Sequence, residues 1–166
     1  MSAFAIQMDI QGAAEIAALW AQAPEICREE LLRAVTEADL LLEREIKERT
    51  PTTFGVLRAS VFGEEQVLAD SVIGVVGTAM SYAVPVELGT QPHFPPIEPL
   101  KDWVRAKLNV PPEQVDEVAY LVARKIAAHG TKGAHMFGDA FAANQGQIAR
   151  MYEGAHARIV QRLGTV

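Results

Sequence analysis

The stretch that decides the fold runs from Glu25 to Arg49, EICREELLRAVTEADLLLEREIKER, and is followed after a short break by Val56 to Val76, VLRASVFGEEQVLADSVIGVV. In the first, Leu31, Val35, Ala38, Leu42 and Ile46 recur three or four residues apart, the spacing of one helix face. Glu29 with Arg33, and Glu43 with Lys47, stand four apart and support the same helix on its other faces. Pro51 closes it. In the second stretch the period falls to two: Leu57, Ala59 and Val61 alternate, and Val72-Ile73-Gly74-Val75-Val76 is a continuous apolar run. We read Val56 to Phe62 and Gln66 to Val76 as an antiparallel hairpin joined by Gly63-Glu64-Glu65. A helical period, then a strand period, then more helical sequence predicts an α+β fold: a small antiparallel β-sheet packed against a long N-terminal helix, with additional C-terminal helices.

Upstream, Phe4, Ile6, Met8 and Ile10 alternate with Gln7, Asp9 and Gln11, the pattern of a half-buried strand that Gly12 ends. Ala13 to Gln22 reads as a short first helix, and Pro24 suits the first turn of the next one, where a missing N–H costs nothing. Downstream, Tyr82 to Thr90 contains Pro85, so it reads as a short strand or a single helical turn ended by Gly89. Gln91 to Pro99 holds four of the nine prolines and reads as a stiff, projecting surface arm. Pro99 to Leu108, with Trp103 and Val104, predicts a short helix. Pro111-Pro112 open another, whose Val115, Val118, Ala119, Val122 and Ile126 lie at helical spacing before Gly130. A loop from His129 to His135 leads into a last helix, Met136 to Leu163, with Phe137, Phe141, Ile148, Tyr152, Ile159 and Leu163 apolar. Gly138, Gly146 and Gly154 weaken that helix and suggest close backbone packing.

At 166 residues, 49% hydrophobic and 22% charged, the chain suits a single domain over residues 1–166 that buries a core. No apolar run approaches the ~18 residues of a membrane helix, and Met1 to Gln11 lacks a basic start and a cleavage site, so a cytosolic protein with no membrane partner is expected. Cys27 is the only cysteine, which excludes an internal disulfide; a packed or half-exposed thiol accounts for it. Residues 1–100 carry 6 basic and 15 acidic side chains, net -9, and residues 101–166 carry 9 and 6, net +3, together the overall -6. That balance argues against general phosphate-backbone binding. Solvated faces explain both halves, and the same polarity would let copies stack head to tail in a ring.

Catalytic patterns are weak. His129, His135 and Asp139, with His93, are the residue types of a zinc site and leave a small metal-dependent hydrolase open as an alternative, although their spacing matches no recognised helix or finger. No G-x-S-x-G surrounds Ser2, Ser60, Ser71 or Ser81. Gly130-Thr131-Lys132-Gly133 lacks the order of a phosphate loop, so no cofactor is expected.

Two constellations are more distinctive: Thr50 to Val61, with Gly55-Val56-Leu57-Arg58-Ala59-Ser60, and Tyr82-Ala83-Val84-Pro85-Val86-Glu87-Leu88-Gly89-Thr90. Arg58 and Glu87 are opposite charges able to pair, and Tyr82 is an amphipathic anchor. With Gly12, Pro51, and the later Gly130-Thr131-Lys132 and Met136-Phe137, their order resembles the minor tail component, or tail-completion, family of long-tailed bacteriophages over nearly the whole chain. The chain departs from that pattern at Thr53-Phe54 and in the long stretch Gln91 to His129, so residues 91–135 read as a longer, insertion-like form.

The resemblance implies a non-enzymatic virion protein of the head–tail neck, present in the host cytoplasm during assembly. It implies a sixfold ring on the tail end that docks to the head connector and to the tail tube or tail terminator. DNA would pass through the lumen without specific binding. A tail-terminator protein capping the tube is the near alternative. Arg58, Tyr82, Glu87, Gly89, Thr90, His93, Phe94, Met136 and Phe137 are the expected subunit or partner contacts.

Overall fold

A computed structural model describes residues 13–53, 55–69 and 71–164, with side chains from residue 21 onward. The strand expected over Phe4 to Ile10 lies outside the described residues. The architecture is α+β: a long N-terminal helix, α1 (Ala13–Arg49), packs on a two-stranded antiparallel sheet, with further helices toward the C-terminus. Pro24 does not divide α1. It removes one N–H from the ladder, a loss of about 3 kcal/mol in an isolated helix, yet Ala23 and Ile26 on either side of it are both buried, and this packing carries the helix through. Ala34, Val35, Ala38, Leu41 and Ile46 continue the buried stripe. At the far end Thr50, itself buried, gives both its N–H and its hydroxyl to the Ile46 carbonyl, at 2.9 and 2.6 Å, just before Pro51.

The hairpin is present but displaced. Val56–Ala59 forms a single helical turn, α2, entered through Gly55 at φ 75°, and Leu57 and Val61 are buried four residues apart while Ala59 is exposed. The strands are β1 (Val61–Val67) and β2 (Val72–Thr78), with Val61 opposite Thr78 and Val67 opposite Val72. Between the two strands the Leu68 N–H reaches the Ser71 carbonyl at 2.8 Å. Gly63, expected in the turn, lies inside β1. Its place and that of Gly74 are set by α1: a Cβ at Gly63 would stand 3.2 Å from Asp39 Cβ, and one at Gly74 would collide with the Asp39 carboxylate. Glu43 Oε2 accepts the Gly63 N–H at 3.0 Å, fastening the sheet to the helix.

The chain continues through α3 (Ala83–Leu88), which Gly89 ends, and a two-residue strand, β3 (Gly89–Thr90). The Pro-rich loop stops at Pro96, three residues earlier than expected, because α4 (Ile97–Lys107) takes Pro99 into its first turn. A 3-10 turn at Pro112–Gln114 leads into α5 (Val115–His129), then β4 (Thr131–Lys132) and α6 (Met136–Gly164). β3 pairs antiparallel with β4.

α6 lies antiparallel along α1: Glu30 meets Arg158 and Arg162 at 2.6 and 3.1 Å, and near the other end Asn144 reaches Glu45 at 3.4 Å. The Arg158 guanidinium chiefly, with Arg162, holds the Glu30 carboxyl below its ordinary pKa, and Arg49, then Arg44 and Asn144, hold Glu45 at about 2. Close approach between these helices comes from Ala140 and Ala155, both fully buried, and not from Gly138, Gly146 or Gly154, which meet only side-chain tips of Glu87, Arg150 and Arg158. One core joins Ile46, Leu57, Val61, Ala83, Met136 and Ala140; a second, within α4 and α5, joins Val104, Val115 and Ala119.

Asp39 is the costly element of the first layer. It is 6% exposed, and its Oδ2 has no hydrogen-bond partner. Burial, and then the nearby Glu65 carboxylate, push its pKa above the ordinary 3.8. With the folded pKa raised, the contribution of Asp39 to stability is most favourable below 3.8, where its carboxyl is neutral folded and unfolded, and is lost as pH rises through the folded value. Asp39→Asn therefore raises the thermal unfolding midpoint at neutral pH and leaves it near the wild-type value at about pH 3; a lower midpoint at neutral pH contradicts this assignment. Gly74→Val drives a side chain into Asp39 and lowers stability by about 1–3 kcal/mol, as read from denaturant unfolding.

Candidate interaction surface

The residues of the Tyr82 and Gly130 constellations, separated by some forty positions, form one device. Val86 and Glu87 present their carbonyls to the N–H groups of Ala134 and His135, at 2.8 and 3.1 Å. The Glu87 carboxylate then caps α6: Oε2 accepts from Phe137 N–H and Oε1 from Gly138 N–H, both at 3.0 Å. Two N–H groups that a helix leaves without partners are satisfied at once, and a negative charge sits at the positive end of the helix dipole. Just beyond, β3 and β4 align Gly89 with Lys132 and Thr90 with Thr131, whose hydroxyls lie 3.0 Å apart.

Glycine is required at this crossing. Gly89 and Gly130 have φ of 80° and 70°, and a Cβ on either would strike the backbone of the opposite strand; a Cβ on Gly133 would strike the Glu87 carbonyl. The pair forms the neck of a lobe made of residues 91–130, whose helices α4 and α5 pack chiefly on each other. Residues 91–130 thus form a helical hairpin pinned where the chain leaves and re-enters.

Of the expected contact residues, Glu87, Gly89 and Thr90 belong to this neck. Arg58 is exposed on α2 and makes no ion pair with a described residue, so the expected Arg58–Glu87 pairing does not form; the Glu87 carboxylate is taken by α6. Met136 is fully buried in the first core, with Phe137 packed against it, so Met136 is a packing residue of this chain and not a contact surface. Tyr82 is exposed and, with Pro51, Val56, Val86 and Trp103, lines a groove of about 440 Å³ between the body and the lobe. A smaller hollow of about 280 Å³ lies against Met80, Val84, Leu88 and Phe137. His93 Nδ1 lies 3.0 Å from the Gln91 carbonyl, and Phe94, 56% exposed, tilts against Tyr120 with ring centres 6.4 Å apart.

Among the described residues no three His, Cys, Asp or Glu side chains are grouped so as to hold a metal ion, so His129, His135 and Asp139 do not converge on a metal site. Their neighbours are structural: His129 Nδ1 lies 3.2 Å from the Lys125 carbonyl, and the His135 carbonyl accepts the Asp139 N–H. No described helix is long and apolar enough to cross a membrane.

The surface that sequence reasoning missed is the outer face of the hairpin. Gly63 and Gly74 face α1, so their strand neighbours face away: Phe62, Ile73 and Val75 are each 44–49% exposed, beside Glu64 and Gln66. The signal was present in the unbroken run Val72 to Val76, since a strand apolar on both faces has two faces to cover.

Removing the cap tests the neck. Glu87→Ala lowers stability by about 1–2 kcal/mol and speeds amide exchange at Phe137 and Gly138, while Glu87→Gln, which retains one acceptor, loses less. Unchanged exchange at those two amides in Glu87→Ala contradicts the capping role.

Scans against protein-family models, curated proteins and solved structures found no match to this chain.

Proposed function

We propose that this chain is a structural virion protein of a long-tailed bacteriophage that completes the tail and forms a ring at the head–tail interface. The observation that carries the reading is the spread of large apolar side chains left open to solvent. Phe62, Ile73 and Val75 lie on the hairpin, Val84 and Leu88 on α3, and Tyr120 and Leu121 on the lobe, each at least 44% exposed. Scattered exposed apolar residues are ordinary in a monomer, whereas grouped ones mark surfaces that meet other proteins. These seven fall in three groups, while others such as Leu40, Phe141 and Val160 stand apart on α1 and α6.

A second support comes from the neck. The Val86-Glu87, Gly89-Thr90 and Gly130-Thr131-Lys132 motifs that carry the tail-completion resemblance meet as one folded unit, as expected if they recur together for a structural reason. In this reading the body stacks into a ring through its apolar faces, and the lobe projects from the neck toward the connector or the tail tube. Sixfold closure follows from the resemblance alone. The net charge of -6 suits a lumen through which DNA slides without being held.

Deleting the gene from the phage that encodes it tests the proposal. Filled heads and separate full-length tails, unable to join, are the expected products. Normal infectious particles would overturn it.

A further inference from the structure

We infer that the ring closes through a head-to-tail contact in which the outer hairpin face of one copy seats on the outer face of α5 of the next. This deepens the ring reading and rests on it. The argument begins with charges that find no partner within the chain. Arg28, Arg33, Arg44, Lys47, Arg49, Lys101, Arg105, Arg158 and Arg162 each pair with a carboxylate. Among the described residues six cations do not: Arg58 on α2, Arg150 on α6, and Lys107, Arg124, Lys125 and Lys132, the last four exposed together on the lobe or its neck. The hairpin carries the opposite excess, since Glu64 and Glu65 have no cation beside them and Glu65 faces only the buried Asp39.

Apolar side chains accompany the charges on both surfaces. The hairpin presents Phe62, Ile73 and Val75 around Glu64. On α5, Tyr120 and Arg124 stand four apart, Leu121 and Lys125 form the adjoining row, and Phe94 extends the patch by leaning on the Tyr120 ring. Tyr120 and Leu121 are each 52% exposed, although their helix already buries Val115, Ala119 and Ala123 on its inner side. The hairpin face is acidic and apolar; the α5 face is aromatic and apolar, with Glu117 at its N-terminal end and Arg124 and Lys125 at its C-terminal end, so the two faces complement each other where the hairpin glutamates meet Arg124 and Lys125. Two different complementary patches on one chain define a heterologous contact, which generates rings when its rotation closes. A partner of another kind would have to reproduce one of these patches; a second copy supplies the matching patch already.

Two exposed positions test this without touching either core: Val75→Asp on the hairpin and Leu121→Asp on α5. Light scattering coupled to size exclusion gives the mass of each full-length protein, and circular dichroism checks that each variant keeps the wild-type helical signal and melting transition. Wild type is expected as a multimer at high micromolar concentration, and each variant alone at the mass of one chain. Mixed, the variants are expected to form a one-to-one heterodimer, because the intact hairpin of one meets the intact α5 of the other and growth then stops. A wild-type multimer that either variant leaves intact, or a mixture that stays monomeric, overturns this interface while the ring survives. A wild-type chain that is monomeric at every concentration overturns the ring itself.

Discussion

The carboxylate of Glu87 is the interaction on which the arrangement of the chain depends. It sits at the end of α3, reaches the first turn of α6 fifty residues later, and accepts two successive N–H groups there. The backbone around it runs beside residues 134 and 135, so α3 and the start of α6 are held by both side chain and main chain. Everything between them must leave and return through one narrow crossing, and only glycine at 89, 130 and 133 lets the two backbones pass so closely. The lobe can therefore differ in length without disturbing the body, since its two ends are fixed together whatever lies beyond them.

The body shows the same economy of space. α1 and α6 approach through alanines, and β1 and β2 approach α1 through glycines. The consequence is a buried, partnerless carboxylate oxygen at Asp39, pressed against Gly74 and facing Glu65. Ion pairs from α6 to Glu30, and from within α1 to Glu45, hold those carboxylates in their charged form, whereas Asp39 is pushed toward neutrality.

Much of this was legible in the residues. The stripe from Leu31 to Ile46 predicted the long helix, and Gly89 and Gly130 predicted the ends of α3 and α5, because periodicity and chain reversal are local properties. What failed was where a residue had two physical uses. Gly63 reads as turn punctuation, yet it serves close approach to a helix whose position no local pattern encodes. Pro24 reads as a boundary, but burial of Ala23 and Ile26 outweighs its local cost. Leu57 and Val61 fit a strand as one pair in an alternation, and fit a helical turn as positions four apart; Gly55 at positive φ selects the turn. For the candidate site, Glu87 and Arg58 read as opposite charges able to pair, since a sequence shows charges far more plainly than the unpaired N–H groups of the helix start that Glu87 caps. Met136 looked like a surface residue through its motif and is a core residue through its contacts. The hairpin's outer face escaped notice because a two-stranded sheet leaves uncovered what a larger sheet would bury.

The proposed role follows from combining these surfaces with the ordered motifs: a rigid body that presents apolar and oppositely charged faces, and a pinned lobe that projects from it. Its central claim is a place in the particle, between head and tail. Electron cryomicroscopy of intact virions tests that claim most directly. The account predicts density for a ring of this fold, with α1 and α6 antiparallel and the helical lobe protruding, between the head connector and the tail tube. A fully assigned neck in which every ring is built from other chains would contradict it.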